Sequence, residues 1–247
     1  MVDVVRRFAS RFAHLLVGTL AFTRHGALAA ARSNQTRRVL SPVRKTVLVL
    51  IGTTLIGLGV SLFIHARLGL PPYDVLVSAI ATLTDLSHGR AALAVGVGFL
   101  LLAAALGRRP NGYVLLFLVA TGANVDLWTE LLMDPPQLAV RILFVVFGVG
   151  AIAAGLAVIA HSSSTGGPFE LVAMAAADRN LSPSTARSIL EAVVIVGGIA
   201  LGGDLGIATV VFAVFIGPAI ASASQALDDR RDGRQHRLAR TAAGADG

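Results

Sequence analysis

The sequence predicts an all-α, polytopic helical membrane protein with two internal repeats, each of three long helices and one short helix that begins after Gly and Pro. Only 14% of the 247 residues are charged and 55% are hydrophobic, whereas a soluble domain has about 25% charged residues. Six apolar segments are long enough, with their flanks, to cross about 30 Å of hydrocarbon. An ordered set of His, Pro, aromatic and acidic residues also occurs twice.

The N-terminal segment, residues 1–45, has nine Lys and Arg residues and a single acid, Asp3. This charge predicts a cytoplasmic tail near anionic lipid. Apolar residues at helical spacing within it indicate an interfacial amphipathic helix, and a disordered basic tail is the alternative. Because the positive charge is concentrated in this tail, we predict no nucleic-acid partner.

The six long apolar segments alternate with two shorter ones along the chain. The long segments are 46–64, 91–107, 113–133, 142–160, 189–203 and 207–227. The short segments, 73–84 and 169–177, follow Pro72 and Pro168. Proline suits the first turn of a helix, where its missing N–H needs no partner. A helix of about 12–15 residues spans only about 20 Å, so each short segment predicts a helix too short to cross comfortably.

The repeat becomes visible when the second half is shifted by 96 positions. His65 then aligns with His161, and Pro72 with Pro168. The predicted units are a first repeat at 46–134 and a second at 135–227. Residues 228–247 are predicted to be a charged, disordered cytoplasmic tail.

The number of crossings depends on the two short helices. If each short helix leaves on the side where it enters, the chain crosses six times and the two halves are inverted. If each crosses, there are eight crossings and the halves are parallel. The inside preference of Arg108 and Arg109 favours six crossings, with both termini in the cytoplasm.

Three motifs resemble the YitT/YczE family of bacterial integral membrane proteins, in its YczE-like branch. They are the segments 68–74, 166–170 followed by Arg187 and Glu191, and 201–206 followed by Gly217 and Pro218. The resemblance covers about residues 48–227 and implies a multi-pass protein of the bacterial plasma membrane. It implies no catalytic activity and no substrate, since the function of that family is generally treated as unassigned.

Polar residues within the apolar segments are the candidate site, because a charge inside a bilayer costs about 2.5–3.5 kcal/mol unless it is paired or hydrated. The acids in the first turns of the short helices either cap those helices or line a polar pathway. Arg187 and Glu191, four residues apart, share a helix face and predict an ion pair. Asp126 is predicted at the interface or facing the interior. The predicted substrate-binding residues are Asp74, Glu170, Arg187, Glu191, Pro72, Pro168, Asn124 and Asp126.

The matched histidines, His65 and His161, are predicted to be interface anchors, with a proton relay as the alternative. The chain has no cysteine and no recognisable hydrolase, zinc-protease or P-loop motif. We therefore predict no enzyme activity, catalytic residue, metal or cofactor.

The function predicted by these patterns is that of a small secondary transporter or permease. Its partners would be the lipid bilayer, a small polar solute or a coupling ion, and a second copy or membrane protein. The alternative is a non-transporting accessory or regulatory protein of a larger membrane complex.

Overall fold

A computed structural model describes residues 40–162, 166–179 and 181–243, and these residues form eight α-helices without strands. This confirms the all-helical class. The amphipathic helix predicted near the N-terminus lies outside the described residues. In chain order the helices are α1 Pro42–Ala66, α2 Pro72–Thr84, α3 His88–Ala105, α4 Gly112–Leu131, α5 Leu138–His161, α6 Pro168–Ala177, α7 Pro183–Ala200 and α8 Ile207–Ala243.

Five helices in the described part of the chain are long and apolar enough to cross a membrane: α1, α3, α4, α5 and the Ile207–Asp229 part of α8. The chain is therefore an integral membrane protein. The sixth long helix, α7, has 18 residues and includes Arg187 and Glu191. The two short helices, α2 with 13 residues and α6 with 10, begin at the predicted Pro72 and Pro168.

Helix starts follow from local side chains. Ser41 and Ser87 accept hydrogen bonds from backbone N–H groups in the first turns of α1 and α3. Asn111 accepts two such bonds, at 3.0 and 3.1 Å, at the start of α4. These bonds satisfy N–H groups that have no partner within the helix, so the polar residues between the apolar segments fix the helix boundaries.

The most extensive helix contact in the described part of the chain joins α1 and α5, and glycines of both helices lie in it. A Cβ atom placed on Gly52 would lie 2.9 Å from the Gly155 carbonyl oxygen, and one placed on Gly59 would lie 2.8 Å from that of Gly148. Small residues let helix backbones approach closely in this way. Since the earlier residue of α1 faces the later residue of α5, the two helices are antiparallel.

The direction of α4 follows from its contacts with α1. Gly57 packs on Asn124, and His65, later in α1, contacts Thr129, later in α4. The two helices are therefore parallel, and both end at one end of the bundle. We name this the exit end, because α1 ends there, and the other the entry end.

Helix α3 is antiparallel to α4, because Gly89 packs on Gly122 and Gly96 packs on the earlier Leu118. It therefore begins at the exit end. Helix α2 lies between the end of α1 and the start of α3 in the chain, so it returns to the end from which it came.

The second half begins its path at the other end of the bundle. Helix α5 ends at the entry end, where Arg108 in the α3–α4 link pairs with Asp178 after α6. Helix α6 thus also returns to its own end. Helix α8 begins at the exit end, where Ala208 N–H donates to the Leu68 carbonyl, and reaches the entry end, where Asp228 contacts His161.

The C-terminal segment differs from the prediction of a disordered tail from residue 228. Helix α8 continues to Ala243, which is the last residue of the described part. Arg and Ala account for eight of the sixteen residues 228–243, and both are strong helix formers. Low hydrophobicity therefore indicated the end of the membrane segment but not the end of the helix.

Candidate functional site

The first turns of the two short helices meet. The rings of Tyr73 in α2 and Phe169 in α6 lie edge to face, with their centroids 6.0 Å apart. Phe99 of α3 contacts both, at 5.9 and 5.8 Å. Since Pro72 and Pro168 directly precede these rings, the structure brings the two predicted helix starts to one place.

A charged cluster lies beside this aromatic contact. Arg187 Nε donates a hydrogen bond of 2.9 Å to Glu191, so the predicted pair of residues four apart is formed. Arg187 also lies 3.8 Å from a Glu170 oxygen, and its guanidinium is 5.9 Å from the centre of the Phe169 ring. We call Glu170, Arg187 and Glu191 the carboxylate–arginine cluster, which has one positive charge against two negative ones.

Asp74, the counterpart of Glu170 in the first half, has a different partner. Its carboxylate lies 3.3 Å from Nε2 of His88 at the start of α3, and both side chains are only about a tenth exposed. Helix α2 begins without a side-chain cap. No sequence pattern predicts the contact between Asp74 and His88, because the two residues lie on different helices.

The remaining two predicted site residues, Asp126 and Asn124, pack between helices and are not part of the carboxylate–arginine cluster. Asp126 accepts hydrogen bonds of 2.7 Å from the Ser87 hydroxyl and from the Gly89 N–H, and so stabilises the start of α3. Asn124 donates to the Ala120 carbonyl of its own helix, and its Cβ packs against Gly57. Both residues join α4 to a neighbouring helix.

The matched histidines occupy equivalent places at opposite ends of the bundle. His65, at the exit end, has Nδ1 2.6 Å from Asp134 Oδ1 and Nε2 3.1 Å from the Thr129 carbonyl. His161, at the entry end, has Nε2 2.9 Å from Asp228 Oδ1 and Nδ1 2.8 Å from the Ala157 carbonyl. The Asp partners were not predicted, because they lie 69 and 67 residues away in the chain.

The Asp134 contact predicts a pH dependence of stability. The hydrogen bond with His65 and the neighbouring charge of Arg67 lower the pKa of Asp134 below its usual 3.8. A lowered folded-state pKa stabilises the protein above the usual carboxyl pKa, and this contribution is lost as the pH falls through the lowered value. We expect thermal unfolding from pH 6 to pH 3 to show a smaller loss of stability in Asp134→Asn than in the wild type. An equal loss in both proteins would contradict this assignment.

Two cavities in the described part of the bundle are apolar. One, of about 240 Å³, is lined by Leu76, Ile80, Val95, Gly98, Phe99 and Leu102. The other, of about 90 Å³, lies between α6 and α7. Neither lining includes a residue of the carboxylate–arginine cluster.

The helix lengths, their apolar surfaces and the polar contacts between them define a helical integral membrane protein. Residues 43–225 match the model of a family of unknown function, DUF6198, and the chain belongs to that family. The description of this family does not mention YitT/YczE, so the relation of the chain to the YitT/YczE family remains a resemblance.

Two curated relatives match this chain over most of their own length. An uncharacterized protein of Haemophilus influenzae is 28% identical over 71% of this chain and 82% of the relative. The uncharacterized protein YyaS of Bacillus subtilis is 27% identical over 64% of this chain and 82% of the relative. No solved structure matches the chain.

Proposed function

We propose that this protein is a small secondary transporter for a polar solute that carries a positive or zwitterionic group. The observation that carries the proposal is the meeting of α2 and α6 at Tyr73 and Phe169, 6.0 Å apart and beside the carboxylate–arginine cluster. Helices that start within the membrane at matching places in two halves are typical of the substrate sites of secondary transporters.

The helix directions favour six membrane crossings with inverted halves. Eight alternating crossings would make α1 and α4 antiparallel, whereas their contacts are those of parallel helices. Eight crossings would also make α1 and α5 parallel, whereas these helices are antiparallel. Six crossings, with α2 and α6 returning to the side they left, agree with both contacts.

The α1–α5 contact also supports an internal repeat. A shift of 96 positions takes Gly52 to Gly148 and Gly59 to Gly155. When the two halves are exchanged in this way, the contact between Gly52 and Gly155 becomes the contact between Gly148 and Gly59, which the structure also contains. Helix α2 packs on α7, as α6 packs on α3. Exchange of the two halves therefore leaves these helix contacts in place, as a twofold axis within the membrane would require.

The charges at the site favour a cationic or zwitterionic solute. The starts of α2 and α6 have no side-chain cap in the described part of the chain, and their partial positive charge favours an anionic group. Glu170 and Glu191 contribute two negative charges, of which Arg187 balances one. A solute with an ammonium group would balance the second, and a carboxylate on the same solute would suit the helix starts.

Purified protein in proteoliposomes tests this function with a panel of amino acids, polyamines and other small amines. We expect uptake of at least one solute, and at least a tenfold loss of that uptake in Glu170→Gln, because the variant removes a charge that faces the solute. Arg90→Gln is the matched control, since Arg90 is an exposed residue at the start of α3 and is expected to keep full uptake.

Absence of uptake of every solute by a folded, monodisperse protein would contradict transport. Equal uptake by Glu170→Gln and the wild type would contradict the location of the site. If a stoichiometric membrane partner instead co-purified with a protein that transports nothing, the result would favour the alternative role as an accessory protein of a larger complex.

A further inference from the structure

The two apolar cavities occupy matching places in the two halves of the chain. Each lies between a short helix and the long helix that follows it, α2 and α3 for the larger cavity and α6 and α7 for the smaller one. The shift of 96 positions becomes 95 after the short helices, where Ser87 matches Ser182. Both serines accept a hydrogen bond from the backbone N–H three residues later, so α3 and α7 begin in the same way.

Four residues that line the larger cavity have counterparts that line the smaller one. The two shifts take Leu76, Ile80, Val95 and Gly98 to Val172, Ala176, Leu190 and Val193. Accidental gaps in packing would not fall at matching positions of both halves, so the cavities belong to the design of the fold. The smaller cavity has valine where the larger one has glycine, which agrees with volumes of about 90 and about 240 Å³.

The larger cavity opens towards the lipid. Gly98 and Leu102 in its lining are both exposed. A Cβ atom placed on Gly98 would meet none of the described atoms within 4 Å. The volume of about 240 Å³ exceeds the roughly 150 Å³ of a dry apolar cavity that binds benzene, so the space is large enough for part of an alkyl chain.

Phe99 connects the larger cavity to the charged site. It lines the cavity, and its ring centroid is 5.8 Å from that of Phe169. The Phe169 ring is in turn 5.9 Å from the guanidinium of Arg187, in the carboxylate–arginine cluster. A ligand that occupies both places must extend past two aromatic rings, which requires a chain rather than a compact side group.

We propose that the transported solute is an amphiphile with an ammonium head and a single alkyl chain, and that it enters from the bilayer. The carboxylate–arginine cluster holds the head, and the larger cavity holds the chain. This inference rests on the proposed function and narrows its solute class, whereas binding of the amphiphile does not itself require transport.

The head rather than the chain makes the site selective. Lipid tails are as apolar as the cavity lining, so an alkyl chain that moves from the bilayer into the cavity gains little beyond packing. An ammonium head is attracted by Glu170 and Glu191, of which Arg187 balances only one charge, and by the faces of the aromatic rings. In a phospholipid the negative phosphate lies between the chains and any ammonium group, so it would approach these carboxylates first. We therefore expect bilayer phospholipids to be disfavoured.

Photolabelling of the purified protein in phosphatidylcholine nanodiscs tests the binding. The probe is decylamine with a diazirine at the end of its chain, and decanol with the same diazirine is its uncharged counterpart. We expect the amine probe to label α3 within residues 95–102 and to be displaced by unlabelled decylamine. The alcohol probe should label this segment several-fold less.

Gly98→Val introduces the residue that stands at the matching position of the second half, and it reduces the larger cavity. We expect this variant to keep the wild-type melting temperature and to lose most of the displaceable labelling. Gly150→Val is the matched control, since a Cβ on Gly150 also meets none of the described atoms within 4 Å and Gly150 lines neither cavity. It should be labelled like the wild type. If Gly98→Val does not fold, Glu170→Gln makes the test from the other end of the site, because the ammonium head loses a carboxylate.

Equal labelling of α3 by the amine and alcohol probes would overturn the proposal, and so would equal labelling by a phosphatidylcholine with a diazirine in its chain. Either result would make the cavity an ordinary lipid contact. Unchanged labelling in folded Gly98→Val and in Glu170→Gln would also overturn it.

Transport is tested separately, in proteoliposomes that take up an identified solute. Decylamine should inhibit this uptake several-fold more strongly than ethylamine, and Gly98→Val should reduce the difference. Uptake with no dependence on the chain length of the inhibitor would overturn the amphiphile and leave transport established. Displaceable labelling by the amine probe without uptake of any solute would overturn transport and leave the binding of the amphiphile established.

Discussion

Replacement of Arg187 by methionine is expected to lower the free energy of unfolding by about 1–3 kcal/mol, between the values for exposed and for buried ion pairs, because it leaves two partly buried carboxylates without their shared cation. Arg187 lies 2.9 Å from Glu191 and 3.8 Å from Glu170. Methionine retains most of the apolar length of the side chain, so the variant chiefly removes the charge. Thermal or denaturant unfolding in a mild detergent measures the effect.

A triple variant distinguishes loss of the charge balance from loss of packing. Replacement of Glu170 and Glu191 by glutamine in the Arg187→Met background removes all three charges of the carboxylate–arginine cluster. We expect most of the lost stability to return, while solute uptake is lost because Glu170 is neutralised. A triple variant as unstable as Arg187→Met would indicate that packing of the guanidinium on Phe169, rather than the ionic interactions, stabilises this region.

Replacement of Gly155 by valine is expected to destabilise the protein by about 1–3 kcal/mol, the usual cost of overfilling a packed contact. A Cβ on Gly155 would lie 2.6 Å from the Gly52 carbonyl oxygen and 2.8 Å from an Ile56 side-chain carbon. The backbone of α1 would have to move away, which would open the central α1–α5 contact. The melting temperature in detergent and the elution volume on size exclusion report the change.

Gly150 is the matched control, since it lies in the same helix, and a Cβ there would meet none of the described atoms within 4 Å. We expect Gly150→Val to keep the wild-type melting temperature within a few degrees, because valine at this position faces open space. Similar destabilisation in both variants would mean that the loss comes from valine within a helix rather than from the helix contact.

The extent of the helices was largely predictable from the sequence. Long apolar segments fixed five spanning helices, and Pro72 and Pro168 fixed the starts of the short ones. These features are local, since hydrophobicity and the missing N–H of proline act within a few residues. The end of α8 was missed, because a charged segment with strong helix formers continues a helix after its apolar part has ended.

The partners within the site were less predictable. The contact of Arg187 with Glu191 follows from helical spacing, but its contact with Glu170 depends on how α6 packs on α7. The pairings of Asp74 with His88 and of His65 with Asp134 likewise join different elements. One sequence contains no periodic signal for contacts of this kind, so the sequence located the charged residues but did not pair them.

In the proposed arrangement, α2 and α6 return to the side of the membrane from which they came. The chain contains no cysteine, so single cysteines can be introduced without background. Asp85, just after α2, and Arg109, in the α3–α4 link, are both exposed and lie at opposite ends of the bundle.

Labelling of Asp85→Cys and Arg109→Cys in intact cells with a membrane-impermeant maleimide tests the claim most directly. With the N-terminus in the cytoplasm, we expect Asp85→Cys to react from outside and Arg109→Cys to react only after the cells are opened. With Arg44→Cys at the start of α1, an exposed position, also protected in intact cells, the reverse pattern, in which Arg109→Cys is labelled from outside and Asp85→Cys is protected, would place α2 across the membrane and contradict the inverted arrangement.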